Sequence, residues 1–400
     1  YFKYNYEEIN FIVDKGITLN FASKGFEGGL VKETSTQKFY KYTYKQETFT
    51  SKEPDAVSIY DTSSYLIASS FNNYIELGQA YQKLSQPKTK PNGFIQGLAD
   101  GIIAKAGGGD KRSEAKALYE WVVSNIRYVA VYADNGGIEP HYATDIAKHG
   151  YGDCKDHAVL FEALLAARGI KSSPALINSG NAFKLPEYPT ISPLNHVITY
   201  IPEFDLYADT TTQSVPFGII PFYVRGKPTV LTALDKIGQT PAMKANENIV
   251  KTKVVLKIQP NGVINGVSKT EVSGPIESSY RESQEGNVGR NDEDIVNGLL
   301  SQYGETGSGK YTFTAPNDFT KPYEENGVFT LDPLSNFPGP AAMTIPIGLT
   351  QGRIYSIAKD KPLSTRKYPY SCFGRKYIDH YEIEFPKDTK ITRIPDNLSY

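Results

Sequence analysis

The pattern of apolar and polar positions changes twice along the chain. From Tyr1 to about Ser70, short alternating stretches are separated by Gly, Lys, Asp and Pro residues, which is typical of antiparallel strands. Alternation returns from about Ile249, where Pro260-Asn261-Gly262 supplies a turn between two strands. We therefore predict a β-rich domain at each end of the chain.

Two helices followed by three strands are predicted in the middle of the chain. One helix covers residues 110–126 and the other covers 155–168, because apolar residues recur there every three or four positions and Gly169 can end the second helix. The β-rich runs are residues 173–177, 195–201 and 206–210. Helices first and strands second indicate an α+β domain.

The length of 400 residues predicts two or three domains at roughly 150 residues each. We divide the chain into an N-terminal β-rich domain at 1–90, a core at 91–245 and a C-terminal β-rich domain at 246–400, the last with one helix near 292–303. A helical pattern at 73–84 and a Pro-containing linker near 85–93 place the first boundary. We expect both end domains to be truncated.

The composition of the chain argues against several kinds of binding partner and against a disulfide-rich fold. With 43 Lys and Arg against 44 Asp and Glu, the net charge of −1 gives no field for binding nucleic acid or an anionic membrane. No apolar run reaches the roughly 18 residues of a membrane span, and two cysteines do not make a disulfide framework. No signal sequence is evident, but one could have been removed, since the chain begins at Tyr1.

Cys154 is the first candidate for chemistry. It lies where the second predicted helix begins, and the free N–H groups of a first helical turn favour a thiolate. Gly150 and Gly152 precede it and allow a tight turn that presents the sulfur while its backbone N–H stays free to bind an oxyanion. This placement suits acyl transfer.

A histidine and an aspartate follow on two runs that predict a hairpin. Centred on Pro202-Glu203, this hairpin pairs residues whose numbers sum to 405, as those of His196 and Asp209 do. A turn two residues longer leaves the two as diagonal neighbours on the same face. In either register the carboxylate can orient the imidazole, which then serves as the base for the thiol.

The segments YGDCKDHAVLFEALLAARGI, NHVITYI and LYADTT resemble the transglutaminase-like core in order and spacing. The resemblance is strongest to bacterial envelope proteins in which a β domain precedes that core and a β-rich extension follows it. It implies a papain-like α+β core with Cys154 as nucleophile, His196 as base and Asp209 as orienting acid. It also implies a periplasmic or cell-envelope location.

Other motifs are given less specific interpretations. We predict that Cys372 is structural and that Trp121 belongs to the core. Cys154 and His157, flanked by His149, resemble half of a zinc site, but the remaining histidines, His141 and His380, supply no second half, so no metal or cofactor is predicted. His157 is then a helix-surface residue or a support for the site. The run GETGSGK at 304–310 lacks the strand–loop–helix context of a phosphate-binding loop and is interpreted as a flexible turn.

The favoured function is cleavage of an amide or peptide bond in a polypeptide through a thioester. Hydrolysis needs only water, whereas crosslinking needs a second site that holds an amine, so a peptidase or amidase is favoured. Tyr128 and Tyr132 are candidates for the second oxyanion donor. The alternative is an inactive module that binds polypeptide or glycan in the cell envelope.

Overall fold

The computed structural model describes residues 6–45, 53–130, 137–359 and 366–397. The chain divides into two compact units. The first ends at Met243 and also includes residues 366–373, and the second contains the remaining described residues from Lys244 onward. The predicted division at residues 90 and 245 into three domains stays a prediction.

The first unit begins with antiparallel strands, as the alternating pattern predicts. The strands are β1 (Tyr6–Asp14), β2 (Asn20–Lys24), β3 (Phe26–Glu33), β4 (Gln37–Lys45) and β5 (Tyr65–Ser69), and a short helix, α1 (Ile59–Thr62), precedes β5. One sheet has the order β1-β4-β3, and β2 pairs with β5. Phe21 of β2 packs on Tyr40 and Tyr42 of β4, with ring centroids 4.6 and 5.2 Å away, so aromatic contacts join the two sheets.

Five α-helices follow in the described residues up to Ala167. They are α2 (Tyr74–Ser85), α3 (Gly93–Lys105), α4 (Lys111–Asn125), α5 (Ala143–His149) and α6 (Cys154–Ala167). Asn73, Asn92 and Asp110 start the first three, since each side chain accepts hydrogen bonds from backbone N–H groups of the first turn. The helices predicted at 110–126 and 155–168 are confirmed as α4 and α6. Helix α6 is enclosed, because residues 155–165 are all buried.

Two short strands and a five-stranded sheet complete the first unit. The short strands β6 (Arg127–Tyr128) and β7 (Tyr151–Gly152) pair in parallel. The sheet has the order β10-β9-β8-β11-β12 and is antiparallel throughout. Its strands are β8 (Ser173–Ile177), β9 (His196–Ile201), β10 (Leu206–Ala208), β11 (Pro228–Leu231) and β12 (Lys236–Gln239). Leu160 and Leu164 of α6 share one buried cluster with Ile201 and Leu206, so the helix packs on this sheet.

The second unit is built on another five-stranded sheet. Its elements are β13 (Ile249–Ile258), β14 (Ile264–Ser273), α7 (Glu277–Glu285), α8 (Asp292–Ser301), β15 (Gly307–Phe313), β16 (Tyr323–Leu331), α9 (Arg353–Lys359) and β17 (Lys376–Glu384). The order is β15-β16-β14-β13-β17, with β17 parallel to β13. The predicted turn at Gly262 joins β13 and β14. The interpretation of residues 304–310 as a flexible turn is wrong in part, because residues from Gly307 onward pair with β16.

Candidate active site

A tight turn between α5 and α6 presents Cys154 at the first position of α6. Gly150 ends α5 in the left-handed conformation, with φ of 72°, which glycine adopts without strain. A Cβ atom at Gly152 would lie 2.5 Å from Cβ of Asp156, so only glycine fits there. The two glycines are therefore required by the turn that carries the thiol.

The buried carboxylate of Asp156 holds this turn in place. It accepts hydrogen bonds from the backbone N–H of Asp153, at 3.2 Å, and from that of His141, at 2.8 Å. The ring of His141 lies 3.1 Å from the same carboxylate. The segment before α5 and the start of α6 are thus tied to one side chain, which limits the freedom of Cys154.

His196 and Asp209 form a buried pair. Nε2 of His196 lies 2.9 Å from Oδ2 of Asp209, whose side chain is fully buried. The other carboxylate oxygen, Oδ1, accepts hydrogen bonds from the backbone N–H of Thr211 at 3.1 Å and from its hydroxyl at 2.6 Å. Because both carboxylate oxygens are engaged, the orientation of Asp209 is fixed.

The hairpin that carries this pair has the longer of the two predicted turns. Leu206 pairs with Ile201, so paired numbers sum to 407 rather than 405. The connection contains a short 3₁₀ turn at Pro202–Phe204 and a left-handed residue, Asp205. Continued by one residue, this register places Asp209 opposite Ile198, diagonal to His196 and on the same face.

The site favours a charged imidazole. Burial opposes the charged form of His196, but contacts with Asp209 and Cys154 outweigh it and raise its pKa to about 10. Burial alone would raise the pKa of the Asp209 carboxyl, but His196 and Thr211 outweigh burial, so the pKa is lowered. With Nε2 turned to Asp209, Nδ1 is the ring nitrogen left for the thiol. The structure therefore brings together the three residues that the sequence singled out.

An apolar wall lies beside the half-buried Cys154. Cys154 packs against a buried cluster to which α2, α6 and the central strands contribute. The cluster contains Tyr74, Leu77, Tyr81, Ala158, Leu176, Leu194, Val197 and Val230. Low polarity strengthens charge interactions, so this wall strengthens the attraction of nearby charged groups for one another.

Buried ionisable groups surround the same helix. Lys155 and Asp153 form a buried ion pair next to the thiol. Burial raises the pKa of Glu162 well above its ordinary value, and the hydroxyl of Thr199 in β9 donates to this side chain at 3.4 Å. Burial, with Glu162 and Cys154 nearby, also keeps the pKa of Tyr81 well above 10. Burial thus favours the neutral form of both Glu162 and Tyr81.

Two further side chains support the site: sequence reasoning missed Tyr119, whereas it gave support of the site as one of two interpretations of His157. The hydroxyl of Tyr119 in α4 lies 2.9 Å from the carbonyl oxygen of Asp209 and donates to it. Tyr119 belongs to the buried stripe of its helix, and a tyrosine on such a stripe signals a buried hydrogen-bond partner. His157 is not a helix-surface residue: it is 1% exposed and its Nδ1 lies 2.6 Å from the carbonyl oxygen of Thr210.

The aromatic residues and the second cysteine that the sequence singled out differ in their surroundings. Tyr128 belongs to β6, and its ring centroid is 6.0 Å from that of His157, whereas Tyr132 lies outside the described residues. A role of either as oxyanion donor stays a prediction. Trp121 packs against the core, as predicted. Cys372 is exposed, and its thiol is 3.8 Å from the carbonyl oxygen of Phe373, so its assignment as a structural residue is not supported.

The two other candidate histidines lie on different elements. His149 ends α5, with its ring 6.0 Å from that of Tyr151, and His380 lies on β17 in the second unit, 3.1 Å from Glu382. Within the described ranges, no three His, Cys, Asp or Glu side chains are grouped as metal ligands would be. No helix in the described part of the chain has the length and apolar character to span a membrane.

Residues 96–176 match the sequence profile of the transglutaminase-like superfamily. This segment is therefore similar to transglutaminase-like domains. The match includes Cys154 and ends before His196 and Asp209. The inclusion of His196 and Asp209 in the candidate site therefore depends on the geometry described above. Among curated proteins, none matches the chain.

Two solved structures are similar to this chain. The crystal structure of a “putative protease” from Parabacteroides distasonis superimposes with a TM-score of 0.51 at 12% identity, covering 88% of this chain and 69% of that one. A “putative cysteine protease” from Cytophaga hutchinsonii is 17% identical over 51% of this chain and 65% of that one, with a TM-score of 0.24. The first similarity is one of fold. Together with the profile match, it establishes an α+β, papain-like core.

Proposed function

We propose that this protein is a cysteine peptidase or amidase that cleaves an amide bond through a thioester on Cys154. The observation that carries the proposal is the buried 2.9 Å contact between His196 and Asp209, beside a cysteine at the start of α6. The transglutaminase-like domain supports a cysteine-protease-like function of this kind.

The proposed reaction has two steps. The sulfur of Cys154 attacks the amide carbon while His196 holds the thiol proton on Nδ1, and that proton passes to the leaving nitrogen as the C–N bond breaks. Water then attacks the thioester carbon and gives a proton to His196, and the C–S bond breaks to release the acid and restore the thiol. Throughout, Asp209 orients the ring and stabilises its charge.

We favour hydrolysis over crosslinking, since hydrolysis needs only access of water to the thioester, whereas transfer to an amine needs a second binding site. The substrate that we propose is a polypeptide or a related amide. From the resemblance in sequence we further propose a periplasmic or cell-envelope location.

The proposal is tested by the rate at which an alkylating reagent labels Cys154 between mildly acidic and neutral pH, followed by intact mass and peptide mapping. The exposed Cys372 is the internal reference, and His149→Ala is the matched control, because His149 ends α5 away from the pair. We expect fast labelling of Cys154 at acidic pH that is lost in His196→Ala and kept in His149→Ala. Labelling no faster than that of Cys372 would contradict the enzyme and favour the binding module.

A further inference from the structure

The backbone that carries Asp209 lies outside the sheet. Strand β10 ends at Ala208, so Asp209 and the two residues after it are not held by the ladder of hydrogen bonds with β9. The carboxylate nevertheless needs a fixed position, because its Oδ2 determines where the ring of His196 lies. Some other contact must hold this segment in place.

Side chains from two helices supply that contact. The hydroxyl of Tyr119 in α4 lies 2.9 Å from the carbonyl oxygen of Asp209 and 2.8 Å from that of Val215, and its one proton is shared between these two acceptors. From α6, Nδ1 of His157 lies 2.6 Å from the carbonyl oxygen of Thr210. Both side chains are 1% exposed, so water does not compete for these carbonyl groups.

The protonation of His157 follows from its surroundings. A carbonyl oxygen only accepts hydrogen bonds, so the proton of the imidazole must lie on Nδ1. Burial lowers the pKa of His157 and so favours the neutral ring, against the hydrogen bond to Thr210 and the nearby carboxylates, which raise it. The imidazole therefore donates to Thr210 through Nδ1.

The position of His157 links this bond to the nucleophile. His157 lies three residues after Cys154 in α6, less than one helical turn away and on an adjoining part of the helix surface. Its hydrogen bond to Thr210 thus joins the helix that carries the thiol to the segment that carries the orienting acid. This hydrogen bond therefore restrains the distance between Cys154 and Asp209, the two residues that contact His196.

We propose that His157 and Tyr119 are positioning residues for the thiol chemistry of Cys154. They act through the backbone of residues 209–210, which places Asp209, which in turn orients His196. The inference rests on the proposed function, because it assigns a role in activating that same thiol. A role in packing alone would require only that the two side chains fill space.

Substitutions can separate a donated hydrogen bond from packing. In His157→Asn the amide nitrogen occupies nearly the position of Nδ1 and can still donate to Thr210, whereas His157→Leu fills a similar volume without a donor. Tyr119→Phe removes one hydroxyl and preserves the ring, which keeps the test informative if His157→Leu does not fold. His149→Leu is the matched control for loss of a histidine elsewhere in the domain.

The experiment measures the pH profile of Cys154 alkylation in the full chain, with Cys372 as internal reference and thermal unfolding as a check of folding. Loss of one hydrogen bond of about 1.4 kcal/mol corresponds to about a tenfold effect. We expect about tenfold slower labelling near pH 6 in His157→Leu and several-fold slower labelling in Tyr119→Phe. We expect His157→Asn and His149→Leu to remain within about twofold of the parent.

Each outcome has a distinct meaning. Parent-like labelling in both His157→Leu and Tyr119→Phe would overturn the inference and leave the proposed function intact. If folded His157→Asn labelled as slowly as His157→Leu, the donor would not matter and the inference would likewise be overturned. If the parent itself labelled no faster at Cys154 than at Cys372, the proposed function would fail, and this inference with it.

Discussion

Replacing Asp209 by asparagine tests whether the carboxylate controls the charge of His196. The change keeps the shape of the side chain and removes its negative charge. In the parent, Oδ2 lies 2.9 Å from Nε2 of His196, and the side chain of Asp209 is fully buried. An amide in this place can contact the ring but cannot stabilise the imidazolium by charge, so we expect the pKa of His196 to fall.

The expected size of the effect follows from the structure. Despite burial, Asp209 and Cys154 raise the pKa of His196 from 6.5 to about 10. At about 1.4 kcal/mol for each pKa unit, the net increase corresponds to about 5 kcal/mol, and because burial opposes it, the favourable contributions of Asp209 and Cys154 together exceed this value. A hydrogen bond to a charged group contributes about 3 kcal/mol, so we expect the pKa of His196 to fall by about two units.

The assay is an NMR titration of protein labelled at its five histidines. The Cys154→Ala background removes the contribution of the thiol, and the signal of His196 is assigned from its loss in His196→Gln. Asp205→Asn is the matched control, because Asp205 lies in the same hairpin and accepts a hydrogen bond from Tyr200 instead. A decrease of less than about half a pKa unit in Asp209→Asn would refute the electrostatic role of Asp209.

Two further predictions concern stability, both measured by thermal unfolding. Because burial raises the pKa of Glu162, the folded state keeps a proton that the unfolded state loses above about pH 4.3, so stability decreases as pH rises from there. We expect Glu162→Gln to stabilise the protein more at pH 7 than at pH 5; an equal effect at both pH values would contradict this. Gly274 has φ of +85°, and an added Cβ would overlap the carbonyl oxygen of Glu247. Gly274→Ala should therefore cost about 2 kcal/mol or more, whereas Gly286→Ala, with open space around it, should be nearly neutral; similar unfolding temperatures for the two variants would count against the reasoning.

The parts of the site that depend on local pattern were predictable from the sequence. Helix α6 has a strong apolar repeat and a glycine at its end, and the thiol position follows from where that repeat begins. The two candidate registers of the hairpin both put His196 and Asp209 on one face, so the contact did not depend on the exact turn. The longer register results from Asp205, whose left-handed conformation lengthens the turn and has no strong signal in the sequence.

Other features could not be predicted from the sequence, because they depend on tertiary contacts or have only a weak local preference. Helix α3 contains three glycines, at 93, 97 and 101, which lower its helix propensity and concealed it. Helix α5 has only seven residues, too few for a periodic pattern. The pairing of β17 with β13 joins residues more than a hundred positions apart. The contact of His157 with Thr210 likewise depends on how α6 packs against the end of β10.

The central claim, a thioester on Cys154 that water resolves, is tested most directly with a small activated ester. Intact mass and peptide mapping would follow acetyl groups after a pulse of p-nitrophenyl acetate. We expect that in the parent one acetyl group appears on Cys154 and is lost within the time course, whereas in His196→Ala it forms slowly and persists. Acetylation of Cys154 no faster than that of Cys372, or an acetyl group on Cys154 that is not hydrolysed in the parent, would contradict this claim.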